Sequence, residues 1–480
     1  MKQRSNIIRM IIDSQLFVFL IVISTGLGNA SCPSSCSCSI HSSGTYVNCE
    51  SKSLGNIPEL SDDTYYLTLN YNNITEIAVH FCKVVPLLQH LHVYGNQISE
   101  IKENTFDDCD QLKILDLGNN LIESIQPTTF RNLTSLNSLY LYSNEISTIE
   151  PFTFVNLPSL QILYLYNNKI RSLESNTFIN MTNLLQLLLH KNEISTISSF
   201  TCMNLPSLQY LYLYNNEIST LEHFTFVNLP SLQYLHLYSN KIRTLQKNTF
   251  INMKNLYDLK LQNNEISTIK SFTFMNLPSL QHLQLHYNEI STIESFSFTN
   301  LPSLRYLYLF NNKIRLLRSH TFINMTNLNY IDLSGNNITH IEDHAFVNLT
   351  SLSLLHLTDN PLNCDCSIFS FWLWLIERAS IGTSAKCSNG TLVTSLQSAA
   401  LETCNPDNCK CFNGGKCVAM GNELVCDCIG QWTGEFCQES QCITYECGFG
   451  DCYIEPVNGT AQCLCGERYV NYCPGTLCYV

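Results

Sequence analysis

Tyrosine and histidine residues recur at fixed distances before an asparagine that itself returns every 24 residues. They stand two, four and six residues before that asparagine, a spacing that puts them on one face of an extended segment. A tyrosine combines a large apolar ring with a hydroxyl group, so a tyrosine-rich face is suited to recognising another macromolecule. Tyr94 and Tyr330 follow this pattern. The residues that we predict to contact a ligand are Tyr140, Tyr142, Tyr164, Tyr166, Tyr210, Tyr212, Tyr214, Tyr234, Tyr238, Tyr306, Tyr308 and Phe310.

Histidines share the same positions, and their chemistry allows more than one interpretation. An imidazole could ligate a metal or titrate near neutral pH. Alternation with tyrosine favours plain surface positions instead, and we predict neither a metal nor a cofactor. For the tyrosines, the competing interpretation is that tyrosine simply suits an exposed strand and was copied with its repeat. An exposed aromatic field of this size would promote aggregation without a partner, which favours recognition. The histidines are His90, His92, His190, His236, His282, His286 and His356.

Motifs for catalysis are missing from the sequence. No nucleophile elbow and no glycine-rich phosphate loop occurs, and the carboxylates are scattered along the chain. We therefore predict that the protein is not an enzyme.

The recurring asparagine belongs to a repeated frame that must position these side chains. The frame reads L-x-x-L-x-L-x-x-N-x-I/L, as in Leu208, Leu211, Leu213, Asn216 and Ile218. Its L-x-L part alternates at period two and predicts a short strand with one buried face. No single repeat can bury its leucines alone, so stacked repeats must form a parallel sheet. The asparagines are Asn72, Asn96, Asn120, Asn144, Asn168, Asn192, Asn216, Asn240, Asn264, Asn288, Asn312, Asn336 and Asn360.

The asparagine and phenylalanine columns both read as structural. A buried asparagine can hydrogen-bond the backbone of adjacent coils, whereas an unpaired one would cost a few kcal/mol. A phenylalanine ten residues after most of these asparagines predicts a wide outer core, which would bend the stack and make the sheet concave. These phenylalanines are Phe106, Phe130, Phe154, Phe178, Phe226, Phe250, Phe274, Phe298, Phe322 and Phe346.

Composition restricts the classes of partner. The 480-residue chain has a formal net charge of −13, which argues against nucleic acid. Basic pairs recur every third repeat, and their wide spacing predicts isolated solvated side chains. These pairs are Lys169 with Arg171, Lys241 with Arg243, and Lys313 with Arg315.

The amino terminus predicts export from the cell. Basic residues precede an apolar run over 16–23, and Gly28-Asn29-Ala30 follows, so we expect a signal peptide over residues 1–30. No later stretch approaches 20 apolar residues, which predicts a secreted mature chain without a membrane span. We expect N-glycosylation at eight Asn-x-Ser/Thr sites: Asn73, Asn132, Asn180, Asn324, Asn337, Asn348, Asn389 and Asn458.

Cysteine clusters flank the repeats at 61–360. Cys32, Cys36, Cys38 and Cys49 precede the first repeat, and Asn-Cys-Asp-Cys366 with an aromatic run over 371–376 follows the last one. This arrangement resembles extracellular leucine-rich-repeat proteins, with an amino-terminal cap at 31–60 and a carboxy-terminal cap at 361–404. The resemblance implies a leucine-rich-repeat solenoid: a curved parallel-sheet horseshoe with loops or 3₁₀ turns on its convex side. It also implies the disulfides Cys32–Cys38, Cys36–Cys49, Cys364–Cys387 and Cys366–Cys404.

Two small modules follow the second cap. Cysteine and glycine spacing over 405–438 resembles an EGF-like module, and 439–480 resembles a second, irregular one. The first resemblance implies the disulfides Cys409–Cys417, Cys411–Cys426 and Cys428–Cys437. Within the repeats, Cys82 and Cys109 both point inward in adjacent coils, where either a bridge or free thiols are possible. Cys202 replaces a core phenylalanine, and we expect it to be a buried free thiol.

The order of cap, repeats, cap and EGF-like modules is similar to that of Slit-type guidance ligands. The chain departs from them in having a single repeat block and no laminin-like domain. Tyrosine-rich concave faces are also similar to the repeat-based immune receptors of jawless vertebrates. We therefore predict a secreted protein that binds an extracellular protein or glycan on its concave face, with the EGF-like modules as spacer or secondary contact. The alternatives are a structural or adhesive matrix component and pattern recognition of microbial surfaces.

Overall fold

The structure is a computed structural model that divides into two compact units, residues 1–261 and 262–480. It describes residues 32–470 except 156, 200, 203, 222–224, 227–228, 247–248, 251, 379–380, 382–383, 398–400, 402–403, 406–410, 412–414, 422, 430–431, 435, 438, 441–450, 455–460 and 466–467. The expected signal peptide therefore lies outside the described residues, as does Cys478, the last cysteine of the sequence, whose pairing the sequence leaves open.

The first unit is a stack of coils that share a parallel sheet. An antiparallel hairpin opens it, and each later strand pairs in parallel with the strand 24 residues further on, as Gln186 does with Tyr210. A 3₁₀ helix, Phe81–Lys83, lies on the outer side. Short outer strands pair as Ser124–Ile125 with Thr148–Ile149 and Ser172–Leu173 with Thr196–Ile197. The sheet strands are Ser37–His41, Gly44–Asn48, Thr64–Thr68, His90–His92, Ile114–Asp116, Ser138–Tyr140, Ile162–Tyr164, Gln186–Leu188, Tyr210–Tyr212, Tyr234–His236 and Asp258–Lys260.

Burial along each strand follows the period-two pattern of the sequence. In Tyr210–Tyr212 the central Leu211 is fully buried while both tyrosines are half-buried. Because the 24-residue register aligns equivalent residues, Leu211 packs directly between the leucines of the neighbouring strands. The predicted solenoid is confirmed.

The ladder asparagines hold consecutive coils together. The Asn216 side chain donates through Nδ2 to the carbonyl oxygens of Leu189 and Leu213, each at 3.0 Å. Its Oδ1 accepts the backbone N–H of Ile194, also at 3.0 Å. All thirteen ladder positions are buried, so their predicted structural role is confirmed.

Phenylalanine rings fill the outer half of the core. In the first unit, Phe106, Phe130, Phe154 and Phe178 stack with centroid separations of 6.0–6.2 Å. Cys202 occupies the next position of this column and is a buried free thiol, as predicted. Burial raises the pKa of the Cys202 thiol to about 12.

The second unit repeats this construction. Its sheet strands are His282–Gln284, Tyr306–Tyr308, Tyr330–Asp332 and Leu354–His356. Outer strands pair as Thr268–Ile269 with Thr292–Ile293, Phe274–Met275 with Phe298–Thr299, and Leu316–Leu317 with His340–Ile341. Among its described residues, the helices are the 3₁₀ helices Cys366–Ile368 and Val393–Ser395 and the α-helix Phe369–Ile376.

The α-helix Phe369–Ile376 covers the last coil. Phe371 and Trp374 pack on Phe346 with ring centroids 5.7 and 5.3 Å away, and Trp372 is buried on the same helix. This closes the exposed end of the core, which a solenoid requires. In the described part of the chain, no helix has the length and apolar character needed to cross a bilayer.

Disulfides staple both ends of the solenoid. The amino-terminal pairs are Cys32–Cys38 and Cys36–Cys49, and the carboxy-terminal pairs are Cys364–Cys387 and Cys366–Cys404, the pairs that the resemblance implied. Cys82 and Cys109 also form a disulfide, which decides between the two alternatives left open by the sequence.

The carboxy-terminal tail holds small antiparallel strand pairs and further disulfides. Lys416–Met420 pairs with Glu423–Asp427, and Trp432–Thr433 pairs with Glu439–Ser440. A three-stranded sheet is formed by Asp451–Ile454, Ala461–Cys465 and Arg468–Val470. Disulfides join Cys411 to Cys426 and Cys428 to Cys437, whereas Cys409 lies outside the described residues.

Candidate functional site

The candidate site is the outward side of the parallel sheet, which we call the sheet face. It consists of the side chains two, four and six positions before each ladder asparagine, with polar side chains at its two margins. Every tyrosine and phenylalanine predicted to bind ligand is half-buried there. Those from Tyr140 to Tyr238 belong to the first unit, and Tyr306, Tyr308 and Phe310 belong to the second.

A continuous row of stacked rings runs across the coils of the first unit, and we call it the stacked column. The stacked pairs from Tyr142 to Tyr238 have centroid separations of 4.3–4.8 Å, and Tyr94 extends the row as a tilted ring 5.9 Å from Tyr142. Because neighbouring rings cover one another's faces, the column presents ring edges and hydroxyl groups to solvent. Its members are Tyr94, Tyr142, Tyr166, His190, Tyr214 and Tyr238.

Gly118 allows the stacked column to extend from Tyr142 to Tyr94. It occupies the column position between Tyr94 and Tyr142, and the Tyr142 ring lies over its Cα. A Cβ atom added at Gly118 would stand 2.7 Å from Cζ of Tyr142, closer than real contacts allow. The missing side chain therefore lets Tyr142 reach across one coil.

Further ring contacts lie beside the stacked column. Tyr210 and Tyr234 stack at 4.9 Å, and Tyr212 stacks on His236 at 4.4 Å with nearly parallel planes. The Tyr164 hydroxyl donates to Oε1 of Gln186 at 2.7 Å. The face is thus a packed surface whose side chains hold one another in place, and this limits the entropy lost on binding.

The expectation that the histidines are plain surface residues is wrong for His190 and His236, which are each only 8% exposed. His190 lies between Tyr166 and Tyr214, with centroids 4.6 and 4.3 Å away. Burial lowers the pKa of His190 to about 4, and its Nδ1 atom has no hydrogen-bond partner among the described residues. The imidazole is therefore neutral at physiological pH and acts as one more flat ring.

A small charged cluster closes the first unit's sheet face. His236 Nε2 lies 3.1 Å from Oδ2 of Asp258, and Lys260 Nζ lies 3.5 Å from the same oxygen. Asp258 is 8% exposed, and its Oδ1 atom is buried without a hydrogen-bond partner in the part of the chain that the structure describes. Sequence reasoning missed this cluster, although the 24-residue spacing of equivalent strand positions could have indicated it.

The centre of the first unit's sheet face is nearly free of charge. The sheet face and its margins comprise the positions seven, six, four, two and one before each ladder asparagine. In the five coils with ladder residues 144, 168, 192, 216 and 240, Lys191 is the single charged residue at these positions. Burial raises the pKa of Tyr142 and raises that of Tyr238 to about 12, so both phenols stay protonated. The face offers neutral donors and acceptors rather than ions.

The second unit carries its own smaller aromatic patch. His286 stacks on Phe310 at 4.3 Å, and His282 stacks on Tyr306 at 4.8 Å. The Tyr330 hydroxyl lies 3.2 Å from Oδ2 of Asp332, and burial followed by this carboxylate raises the pKa of Tyr330 to about 12. Burial lowers the pKa of His286 to about 4.

The basic residues at the edge of the sheet are exposed to solvent, as their spacing predicted, but the lysines are not isolated. Lys169 pairs with Glu145, Lys241 pairs with Glu217, and Lys313 pairs with Glu289 in an adjacent coil. Coils pack so closely that a side chain one position after the ladder asparagine meets its equivalent 24 residues away. These pairs are exposed, so each contributes little to stability.

Exposed phenylalanines on the outer side were also missed. Phe152, Phe272 and Phe296 have positive φ angles and are 37–49% exposed. Asn104 and Asn176 stand at the equivalent position in other coils, also with positive φ. The sequence could have indicated these exposed residues, since phenylalanine recurs eight residues after several ladder asparagines.

The leucine-rich repeat family model matches residues 64–122, 110–170, 158–218, 206–266, 254–314 and 311–362. The chain belongs to the leucine-rich repeat family. These leucine-rich repeats are also similar to leucine-rich repeat-containing protein 3 of Danio rerio, at 38% identity over 90 residues, covering 18% of this chain and 34% of that protein. Leucine-rich repeat-containing G-protein coupled receptor 5 of Xenopus tropicalis is 30% identical over 111 residues, covering 21% of this chain and 12% of the receptor. The chain thus spans about a third or less of the length of these curated relatives.

Solved leucine-rich repeat structures share the fold. A chain of the TLR13–ssRNA13 complex matches with a TM-score of 0.53 and 26% identity, covering 70% of this chain and 54% of that one. The leucine-rich repeat protein LIC12759 of Leptospira interrogans matches with a TM-score of 0.52 and 22% identity, covering 70% of this chain and 94% of that one. The latter likeness shows the fold alone.

Proposed function

We propose that the chain is a secreted recognition protein whose sheet face binds an extracellular protein. The observation that carries this proposal is the stacked column in its nearly uncharged surroundings. Tyrosine with asparagine, glutamine and serine is the composition of antibody-like binding surfaces, where rigid rings give contact area and small polar side chains give adaptable hydrogen bonds. Asn137, Gln161, Gln209 and Gln233 line one margin, and Asn167 and Asn215 line the other.

Charge favours a protein over a nucleic acid. The TLR13 structure contains single-stranded RNA, and RNA binding depends on Lys and Arg side chains that neutralise phosphates. Here Lys191 is the single basic residue on the sheet face of the central five coils, and the chain carries a net charge of −13. A neutral, hydroxyl-rich face fits a protein surface of mixed polarity better.

The remaining regions of the chain support an extracellular role. Disulfides at both ends of the solenoid and in the tail suit an oxidising compartment. We infer that residues 1–30 direct export, that 31–60 and 361–404 cap the solenoid, and that 405–438 and 439–480 are EGF-like spacers. Seven predicted glycosylation sites are exposed, namely Asn73, Asn132, Asn180, Asn324, Asn337, Asn348 and Asn389, whereas Asn458 lies outside the described residues.

The test uses the full chain secreted from cultured eukaryotic cells and a panel of extracellular proteins, microbial glycans and matrix components. Binding of the wild type is compared with that of a Tyr140→Ala, Tyr212→Ala and Tyr308→Ala triple variant. We expect at least one protein to bind saturably to the wild type, with a loss in the variant of about 2 kcal/mol or more per central tyrosine.

A matched control lies on the outer side of the same unit. Phe152→Asn introduces the residue that Asn104 and Asn176 already supply at the equivalent position, so it should fold and bind as the wild type does. Identical retention of all three proteins on matrix, with no saturable partner, would contradict recognition and favour a structural component.

A further inference from the structure

A groove of about 350 Å³ lies between the last coil and the α-helix Phe369–Ile376 in the second unit. Phe346, Phe371 and Trp374 form its apolar floor. Glu342, Asp343, Glu377 and Arg378 bring charged groups to its walls. Such a volume is at the small end of ligand-binding cavities and holds about one or two sugar rings.

The groove contains a complete glycosylation sequence. Asn348 and Thr350 both line it, and both are exposed. Asn348 has a φ of 63°, which places it on a tight turn. The spacing Asn348-Leu349-Thr350 is that of an N-glycosylation acceptor.

The side chains that line the groove can contact both the apolar and the polar parts of a sugar. A pyranose ring has an apolar C–H face and a rim of hydroxyl groups. Leu373, which is 39% exposed, and the edge of Trp374 offer apolar contact. The guanidinium of Arg378 lies 5.0 Å from the Trp374 ring centroid, where its N–H groups can donate to sugar oxygens. The carboxylates of Glu342 and Asp343 can accept from sugar hydroxyls.

We propose that Asn348 carries an N-linked glycan whose first sugars occupy this groove and cover the carboxy-terminal cap. The inference rests on the proposed secretion of the chain. In the transfer, Nδ2 of Asn348 bonds to the anomeric carbon of a pyrophosphate-linked oligosaccharide and loses one proton. The carbon–oxygen bond to the pyrophosphate breaks, and its electron pair leaves with the pyrophosphate. The chain itself supplies the acceptor amide and the docking groove.

Asn324 provides an internal comparison. It lies 24 residues earlier, in an equivalent Asn-Met-Thr sequence on a turn with a φ of 61°, and it is also exposed. It is not among the residues that line the groove. A glycan on Asn324 therefore reports passage through the glycosylation pathway without sharing the groove with Trp374.

The experiment measures release of each glycan from the folded, secreted chain by an amidase that cleaves N-glycans. Glycopeptide mass spectrometry follows Asn348 and Asn324 in the same sample. A glycan docked in the groove is cleaved only when it leaves the groove, so we expect release at Asn348 to be about tenfold slower than at Asn324. In Leu373→Asp, which removes the exposed apolar contact, the two rates should become equal. After denaturation both sites should be released at the same rate.

Three outcomes would overturn the proposal. If Asn324 carries a glycan and Asn348 carries none, no glycan occupies the groove, and the proposed secretion is unaffected. Equal release rates in the native wild type would show that the glycan does not dock. Failure of the chain to reach the medium would overturn the proposed secretory route, whereas a secreted chain without glycan at any site would overturn this inference alone. If Leu373→Asp is not secreted, Thr350→Ser keeps the acceptor sequence, and its Asn348 glycan should retain the slow release.

Discussion

The imidazole of His190 and the ring of Tyr214 stack with centroids 4.3 Å apart and planes inclined by 15°. These residues stand 24 positions apart, so the contact joins two coils across the sheet face. Tyr166 covers the other side of His190 at 4.6 Å. A titratable group is thus enclosed in a row of rings, and this has consequences for stability.

The first prediction concerns pH. Burial holds the pKa of folded His190 at about 4, while the unfolded chain has a value of about 6.5. Between these values the unfolded chain binds a proton that the folded chain does not. The contribution of neutral His190 to the free energy of unfolding is therefore fully present above about pH 6.5 and is lost as the pH falls toward 4. His190→Tyr supplies the residue present at 166 and 214. It should reduce the change in the free energy of unfolding with pH by up to about 1.4 kcal/mol per pH unit. Urea unfolding at pH 7 and pH 4.5 measures it, and an unchanged slope would refute the assignment.

The second prediction separates stability from binding. Gly118→Ala places a methyl group against Tyr142, whose ring can swing away because it ends a flexible side chain. We expect the free energy of unfolding to change by less than about 1 kcal/mol, while affinity for a sheet-face partner falls. Gly55→Ala is the control, because a Cβ there meets no atom of the described residues within 4 Å. Unchanged affinity in Gly118→Ala would show that Tyr142 is not part of the binding surface.

The third prediction tests the asparagine ladder. Asn216→Ala leaves the buried N–H of Ile194 without its acceptor, while the carbonyl oxygen of Leu189 keeps only the bond that it accepts from Nδ2 of Asn192. One unsatisfied buried N–H costs about 1–3 kcal/mol and each lost hydrogen bond to a carbonyl about 0.5–1.5 kcal/mol, so a loss of about 3 kcal/mol in the free energy of unfolding is expected. Thr220→Ala, exposed in the same coil, should cost less than about 0.5 kcal/mol. Denaturant unfolding compares the two, and equal midpoints would contradict the structural role.

The fourth prediction concerns the buried thiol. Because burial raises the pKa of Cys202 to about 12, almost no thiolate forms at pH 8. A thiol-alkylating reagent should label Cys202 about a hundredfold more slowly in the folded chain than in denaturant. Peptide mass spectrometry identifies the labelled site. Fast labelling of the native protein would mean that the phenylalanine column opens around this position.

Much of the fold follows from the sequence because one constraint repeats in every coil. Asn216, Leu211 and Phe226 each occupy a fixed position in a 24-residue frame, and each has the burial that the frame predicts. Inward and outward sides of a strand depend on local alternation alone, which the sequence displays directly.

The details of the sheet face could not be predicted in this way. Alternation places His190 on the sheet face, but its burial depends on how closely Tyr166 and Tyr214 approach. Likewise, the position of the Tyr142 ring over Gly118 and the contact of His236 with Asp258 depend on distances between coils. A sequence pattern gives the register of such residues and leaves their rotamers undetermined.

The most direct test of sheet-face recognition is site-specific photo-crosslinking. A benzophenone amino acid replaces Gln209, at the margin of the sheet face, or Phe152, on the outer side of the same unit. Each secreted protein is incubated with the extracellular fraction of its own tissue, irradiated and analysed by mass spectrometry. We predict that position 209 captures a discrete protein, which unlabelled wild-type chain displaces and the Tyr140/Tyr212/Tyr308→Ala variant does not. Capture of that protein from position 152 alone, or from neither position, would contradict the assignment of the sheet face as the binding surface.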